Sequence, residues 1–234
     1  MPLWMEIARG PFFRFALAVF VLGLLRLLLL TLWGMLQSVH QAGDQRIPYG
    51  KLLRETLSWI FPFGQLVRTR RVYSFASFGM HLGILGAALF LGNHLDILRA
   101  NIGLAWPAIF KPVLDVLSVI TILAGIYLLL YRIYVPSSQK LSKRMDYLLL
   151  MLILNLFLSG YVAGQAWNPI PYDGLMLFHT LNGLAIALLA PFTKIAHCVL
   201  FPLIRLGSEI AWRLTPQGGS RAVRTLYGPE GRRI

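Results

Sequence analysis

The chain has 234 residues, of which 57% are hydrophobic and only 13% are charged, and its formal net charge is +13. A soluble domain usually has about 25% charged residues, so this composition excludes an ordinary soluble core. The one cysteine, Cys198, excludes an intrachain disulfide framework, Cys-rich zinc sites and an iron–sulfur cluster held by this chain alone. The sequence also has no Cys-x-x-Cys-His motif, which excludes a covalently attached c-type haem.

Five largely apolar segments follow one another, and each has the ~20 residues needed to cross the hydrocarbon core of a membrane. They lie at residues 12–36, 74–95, 109–134, 147–166 and 175–203 and are called segments one to five. The pattern predicts an all-α membrane protein with five transmembrane helices in one domain at residues 1–203. The remaining residues, 204–234, form a basic tail that is too polar to span, and we expect it to lie in the cytoplasm.

The distribution of lysine and arginine predicts the orientation of these segments. Basic residues are concentrated in the stretch at 37–73, in the turn at 135–146 and in the tail. The opposite side has only four, namely Arg9, Arg14, Arg99 and Lys111. The positive-inside rule therefore places the N-terminus outside and the C-terminus in the cytoplasm, with membrane lipid as a partner. Nucleic acid is not an expected partner, because the basic residues flank membrane segments instead of forming one patch.

Four of the five histidines lie inside two of the apolar segments, where an ionisable side chain is expensive and usually functional. Segment two carries His81 and His94, and segment five carries His179 and His197. Because the predicted topology makes these segments antiparallel, it sorts the histidines by depth into an inner pair, His81 with His197, and an outer pair, His94 with His179. Each pair matches the two axial imidazoles of one haem iron. The fifth, His40, lies in the polar stretch and is expected to be solvated.

Helical phase favours segment five as a ligand carrier. His179 and His197 are eighteen residues apart, which corresponds to five whole turns, so an unbroken helix would present both on one face. Pro191 lies between them and predicts a kink or tilt that shortens the vertical reach of the segment.

Segment two fits less well, because thirteen residues leave His81 and His94 about 140° apart around a helix. Gly92 and Asn93 directly precede His94, and local unwinding there would re-aim its ring. The sequence therefore favours the inner pair over the outer pair.

Three glycines lie close to the predicted ligands: Gly83, Gly86 and Gly183. A planar macrocycle that presses against a helix needs a missing side chain near its ligand, which is one interpretation of these positions. The alternative is close helix packing through small residues, which is common in membrane proteins.

At these residues the sequence resembles a known family. The stretch from His179 to His197, HTLNGLAIALLAPFTKIAH, resembles the His-x3-Gly-x7-Pro-Phe-[Ser/Thr]-[Lys/Arg]-x2-His segment of the respiratory nitrate reductase gamma subunit. The stretch HLGILG from His81 to Gly86 is similar to the first haem-binding helix of the same family. That family of membrane cytochromes b includes the cytochrome b subunits of heterodisulfide reductase and of the transmembrane redox complexes of sulfate reducers. The resemblance covers all five segments in order, with specific motifs in segments two and five.

This resemblance implies that His81, His94, His179 and His197 are the axial ligands of two b haems. The sequence departs from the family at His94, because the family has its second histidine sooner, with a glycine directly before it. The resemblance also implies a dihaem b subunit of a respiratory oxidoreductase complex in the cytoplasmic membrane of a bacterium or archaeon. Such a subunit transfers electrons between the menaquinone or other quinone pool and an iron–sulfur subunit on the cytoplasmic face, within a complex that has further subunits.

Lys111 and Asp115, at the start of segment three, are the candidate quinone site. A cation polarises a quinone oxygen and a carboxylate relays its proton, and the family also has a lysine near this position. The alternative is that Lys111 extends to the membrane interface and pairs with Asp115 across one helical turn.

Further charges require partners of their own. Arg26 in segment one and Lys194 in segment five each need a protein partner or a haem propionate, whereas Asp96 and Arg99 are placed to meet a propionate or a partner subunit.

Two other functions stay open. One is another class of dihaem cytochrome, such as a hydrogenase or formate dehydrogenase subunit, and the other is a haem-free membrane anchor or proton-relay transporter.

Overall fold

The computed structural model describes residues 2–42, 49–60 and 70–214, and every regular element within these ranges is a helix. In chain order the elements are α1 Leu3–Ile7, a π-helical turn Ala8–Phe12, α2 Phe13–Ala42, α3 Tyr49–Ile60, α4 Arg71–Phe90, α5 Gly92–Ile102, α6 Lys111–Tyr134, α7 Pro136–Leu141, α8 Arg144–Ala163, α9 Tyr172–Leu189, two 3₁₀ turns at Ala190–Phe192 and Lys194–Ala196, and α10 His197–Leu214.

The predicted all-α class with five membrane-length helices is confirmed for the described chain. The helices that are long and apolar enough to cross a membrane are Leu3–His40, Arg71–Phe90, Lys111–Tyr134, Arg144–Ala163 and Tyr172–Phe192. The first is longer than the predicted segment 12–36, because α1, the π-helical turn and α2 follow one another without a break. The chain thus has the helices of a multi-pass membrane protein, and its orientation stays a prediction.

The π-helical turn at Ala8–Phe12 surrounds Pro11. Proline has no backbone N–H, and its ring clashes with the carbonyl four residues earlier in an α-helix. Widening the backbone by one residue per turn relieves that clash, and single π turns of this kind occur often at functional sites. Ala8 in this turn and Met5 before it are both buried.

Segment two is not one helix. Helix α4 ends at Phe90, Leu91 has extended backbone angles (φ −74°, ψ 124°), and α5 begins at Gly92. The break lies one residue before the glycine and asparagine at which the sequence predicted unwinding. Three carbonyls at the end of α4 find partners outside it: that of Ala87 binds the His94 ring, that of Leu89 the Trp106 indole, and that of Phe90 the backbone N–H of Ile109.

Segment five is also interrupted, so the expectation of a single helix over 175–203 was wrong. Helix α9 ends at Leu189, the 3₁₀ turns follow, and α10 begins at His197. Pro191 lies in the first 3₁₀ turn, where a residue without an N–H cannot continue the α-helical ladder. The eighteen-residue phase argument therefore does not relate His179 to His197.

The chain divides into two compact units, and each is described by itself. The first comprises residues 1–21 and 64–194, and the second comprises residues 22–63 and 195–234. The predicted boundary between residues 203 and 204 falls inside α10, and residues 215–234 of the predicted tail lie outside the described residues.

In the first unit, glycines allow neighbouring helices to approach closely. The core contains Met80 of α4, Ala124 and Leu128 of α6 and Leu150 of α8. A Cβ on Gly83 would overlap the Thr121 hydroxyl of α6 and lie 2.9 Å from the Leu117 carbonyl oxygen.

Two further glycines make contacts of the same kind. A Cβ on Gly86 would lie 3.3 Å from Cδ1 of Leu117, and one on Gly125 of α6 would lie 2.6 Å from Cδ2 of Leu154 on α8. Gly83 and Gly86 thus serve the helix packing that the sequence left as an alternative, and their role beside a porphyrin stays a prediction.

The second unit contains a helix that the sequence did not predict. Helix α3 lies within the polar stretch at 37–73, and its Leu52 is completely buried against Met35, Val39 and Leu206. This contact packs α3 against the end of α2 and against α10.

The contact at Gly83 gives a test of the packing between α4 and α6. Replacing Gly83 with Ala places a methyl group where the Thr121 hydroxyl lies, so we expect a loss of about 1–3 kcal/mol in the free energy of unfolding. The measurement is the melting temperature of the detergent-solubilised protein. Gly34→Ala is the control, since a Cβ at Gly34 meets nothing within 4 Å, and equal melting temperatures for both variants would contradict the packing described here.

Candidate functional site

The structure brings the outer pair of histidines together. His94 on α5 and His179 on α9 belong to the same unit, their ring centres are 6.2 Å apart, and their ring planes differ by 17°. Both side chains are half-buried. The pair that the sequence favoured less is therefore the pair whose geometry is visible within one unit.

The separation of the two rings leaves room for one metal ion between them. A metal–imidazole bond is ~2 Å long and the centre of an imidazole lies ~1 Å from its nitrogen, so two imidazoles that held one ion between them would have ring centres ~6 Å apart. The described residues contain no group of three or more His, Cys, Asp and Glu side chains suited to a metal ion.

Each ring of the pair is oriented by its Nδ1 atom. Nδ1 of His94 lies 2.8 Å from the carbonyl oxygen of Ala87, and Nδ1 of His179 lies 3.1 Å from that of Leu156. A carbonyl oxygen only accepts, so Nδ1 carries the proton and donates it, and Nε2 keeps its lone pair. Neither Nε2 has a hydrogen-bond partner in the described part of the chain. This arrangement is typical of histidines that ligate metals.

The break at Leu91 makes the orientation of His94 possible. In an unbroken helix a side chain at this position would reach the carbonyl four residues earlier, whereas the His94 ring binds the carbonyl of Ala87, seven residues earlier. His94 lies beyond the end of the α4 span, and burial lowers the pKa of its ring below the ordinary value. A lowered pKa keeps the imidazole in the neutral form that binds a metal.

Two residues of α8 position His179, and sequence reasoning missed both. A Cβ on Gly160 would lie 2.6 Å from Cε1 of the His179 ring, so only glycine leaves room for the ring there. The Ser159 hydroxyl lies 3.2 Å from Nδ1 of the same ring. The available signal was the Ser-Gly pair near the end of segment four, at the predicted depth of His179. By contrast, a Cβ on Gly183 would lie 3.6 Å from Cδ1 of Leu156, an ordinary contact distance.

The inner pair is divided between the two units. His81 lies on α4 and is exposed, with Nδ1 2.7 Å from the carbonyl oxygen of Ser77. His197 is the exposed first residue of α10, in the second unit. The pairing of His81 with His197 stays a prediction.

Lys111 and Asp115 form an ion pair with Nζ and Oδ2 2.6 Å apart, across one turn of α6. This is the pairing that the sequence left as an alternative, and the role of the two residues at a quinone stays a prediction. Lys111 also approaches α8, because a Cβ on Gly164 would lie 3.8 Å from its Nζ. Gly164 is one helical turn, or ~6 Å, beyond Gly160, so the ion pair and the histidine pair lie near the same end of α8.

Lys194 has a protein partner, the carboxylate of Asp146 at 2.6 Å. Asp146 is buried in the first turn of α8 and accepts the backbone N–H of Lys143 at 2.8 Å. The Arg132 guanidinium donates to the Asp146 carbonyl oxygen at 2.9 Å, which ties the end of α6 to the same point.

The remaining predicted charges are on the surface. Arg26 is exposed and makes no hydrogen bond or ion pair in the described part of the chain, so its partner stays a prediction. Asp96 and Arg99 are exposed on α5, and their predicted roles are likewise untested.

The Asp146 cluster gives a stability prediction. Asp146→Ala removes both the partner of Lys194 and the acceptor at the start of α8, and we expect it to cost about 1–3 kcal/mol in unfolding free energy. Asp173→Ala is the matched control, because Asp173 occupies the first turn of α9 but is exposed, and its replacement is expected to change stability by less than about 0.5 kcal/mol. Thermal unfolding in detergent compares the two, and an unchanged melting temperature for Asp146→Ala would show that the cluster does not stabilise the fold.

A protein of Nitratidesulfovibrio vulgaris (strain Hildenborough) is similar to this chain. The two are 30% identical over 208 residues, which cover 86% of this chain and 91% of the relative. The relative carries only the name "Protein", which states no activity. No family model and no solved structure matches the chain.

Proposed function

This chain belongs to the same family as that Nitratidesulfovibrio vulgaris protein, and we propose that it is a dihaem b membrane subunit of a respiratory oxidoreductase complex. It transfers electrons between the menaquinone or other quinone pool and an iron–sulfur subunit on the cytoplasmic face, together with further subunits. The chain itself is the electron-transfer subunit, and the terminal chemistry belongs to another chain.

The observation that carries this proposal is the geometry of His94 and His179. Their rings are 6.2 Å apart and nearly parallel, and both Nδ1 atoms bind backbone carbonyls. Two neutral imidazoles with their Nε2 lone pairs available are the protein ligands of a b haem. When bound, the haem supplies reversible one-electron transfer, and the helices supply a low-dielectric frame that holds its ligands.

The position of Lys111 supports a quinone site close to this haem. The Lys111–Asp115 ion pair lies near Gly164, one turn of α8 from the glycine that contacts His179. A lysine ammonium polarises a quinone oxygen, and a carboxylate beside it accepts a proton from the quinol. A haem held by His94 and His179 would supply the one-electron step that accepts electrons from quinol, and the electrons would leave on the cytoplasmic side. With protons released outside, quinol oxidation contributes to the membrane potential.

The direct test is haem quantitation on purified protein by the pyridine haemochrome method. We expect two b haems per chain, and we expect His94→Ala to lose the outer haem, leaving about half of the absorbance, because the iron loses an axial ligand. His40→Ala is the matched control, since His40 is exposed in the last turn of α2 and is not one of the four predicted ligands, and it should retain both haems.

A chain without any Soret absorption would overturn the proposal and support the haem-free anchor or proton-relay transporter. A His94→Ala protein that retains its full haem content would overturn the assignment of the outer pair while leaving a cytochrome.

A second prediction concerns the residue that makes room for the ligand. Gly160→Ala places a methyl group 2.6 Å from Cε1 of His179, so we expect the ring to move and the outer haem to be lost or to become high-spin. Gly164→Ala is the control one turn along α8, where a Cβ would lie 3.8 Å from the nearest side-chain atom. The low-temperature absorption spectrum reports the loss or the spin change of the outer haem. Identical spectra for the two variants would contradict the proposal that Gly160 makes room for the His179 ring.

A further inference from the structure

Arg9 lies between the two helices that carry the outer histidine pair. It is part of the π-helical turn Ala8–Phe12, which packs against α9. On the other side, the Asn101 side chain of α5 donates to the Arg9 carbonyl oxygen at 2.9 Å, which fixes the turn to the helix of His94. Arg9 is thus held to α5 by this hydrogen bond and lies in a turn that packs against α9, the helix of His179.

The Arg9 side chain contains a buried donor that the protein does not use. Its Nε atom is inaccessible to solvent and has no hydrogen-bond partner in the described part of the chain. A buried donor without a partner costs about 1–3 kcal/mol, and more when the group is charged. Glu6, three residues before Arg9, and Asp96 on α5 are exposed, and in the described part of the chain no ion pair joins either of them to Arg9.

We propose that Arg9 is a carboxylate-binding site for a propionate of the porphyrin held between His94 and His179. The inference rests on the proposed function and extends it, because it assigns the anion that would pair with this half-buried arginine and its buried Nε. A guanidinium binds a carboxylate through parallel N–H donors, and such a pair is strongest where water is excluded. Arg26 and Arg99, two arginines for which the sequence left a propionate as one possible partner, are exposed, whereas Arg9 has a buried Nε.

This site has a consequence for the redox potential. Reduction adds an electron to the iron, and a fixed positive charge that compensates a propionate favours the reduced form. Arg9 therefore raises the midpoint potential of the outer haem and makes it a better acceptor for electrons from quinol.

The test is a redox titration of purified wild-type, Arg9→Gln and Arg14→Gln proteins, in which the α-band absorbance reports the fraction of reduced haem. Arg14 is the matched control, because it lies five residues further along the same span, is exposed, and makes no hydrogen bond or ion pair in the described residues. We expect Arg9→Gln to lower the reduction equilibrium constant of the outer haem about tenfold, which corresponds to a decrease of ~59 mV in its midpoint potential for a one-electron couple. Arg14→Gln should leave both potentials unchanged.

Arg9→Lys retains the positive charge but lacks the fork of N–H donors, so we expect a smaller decrease in the outer-haem potential. This variant replaces Arg9→Gln in the titration if the Arg9→Gln protein does not accumulate. The outer haem is identified in the titration as the component that His94→Ala removes. An outer-haem potential equal to wild type in Arg9→Gln, or in Arg9→Lys where that variant is used instead, overturns the propionate site while leaving the cytochrome. The absence of haem from the wild-type protein overturns the proposed function itself.

Discussion

Two backbone carbonyl groups determine what the imidazoles of His94 and His179 are able to bind. Each accepts a hydrogen bond from Nδ1, which leaves the Nε2 lone pair of each ring available for a metal. The Ala87 carbonyl accepts the N–H of Leu91 at 3.3 Å and also binds Nδ1 of His94 at 2.8 Å, because the break at Leu91 turns the chain so that the ring reaches this oxygen. The Leu156 carbonyl reaches His179 because Gly160, one turn along α8, has no side chain in the way. A helix end and a glycine thus define the candidate site more directly than any charged residue does.

The sequence was sufficient to predict the five spans, because the length and apolarity of a membrane helix are local properties. It was not sufficient to predict where the helices stop. Pro191 indicated a kink, but not that regular α-helix would be lost from Ala190 to Ala196 and replaced by two 3₁₀ turns. Helix α3 was missed for a related reason. Its polar composition is typical of a loop, and the helix is explained only by the packing of Leu52 against Met35 and Leu206, which are distant in the sequence.

The histidines show the same division between local and tertiary information. Their number and depth predicted two ligand pairs, and the outer pair lies together within one unit. Ideal helical phase nevertheless ranked that pair second, because it treated α4 and α5 as one continuous helix. Ser159 and Gly160 were not predicted, and Arg9 was used only to predict orientation, since a glycine that admits a ring and an arginine with an unused buried donor are defined only by their neighbours.

The central claim is that His94 and His179 are the two axial ligands of one haem, with their ring planes close to parallel. Electron paramagnetic resonance of the oxidised, purified protein tests it most directly, because the signal of a low-spin ferric haem depends on the angle between its imidazole planes. The 17° angle predicts a rhombic low-spin signal of the bis-imidazole type for the outer haem, absent in His94→Ala. A ferric spectrum without such a signal, or one that His94→Ala leaves unchanged, would contradict the account.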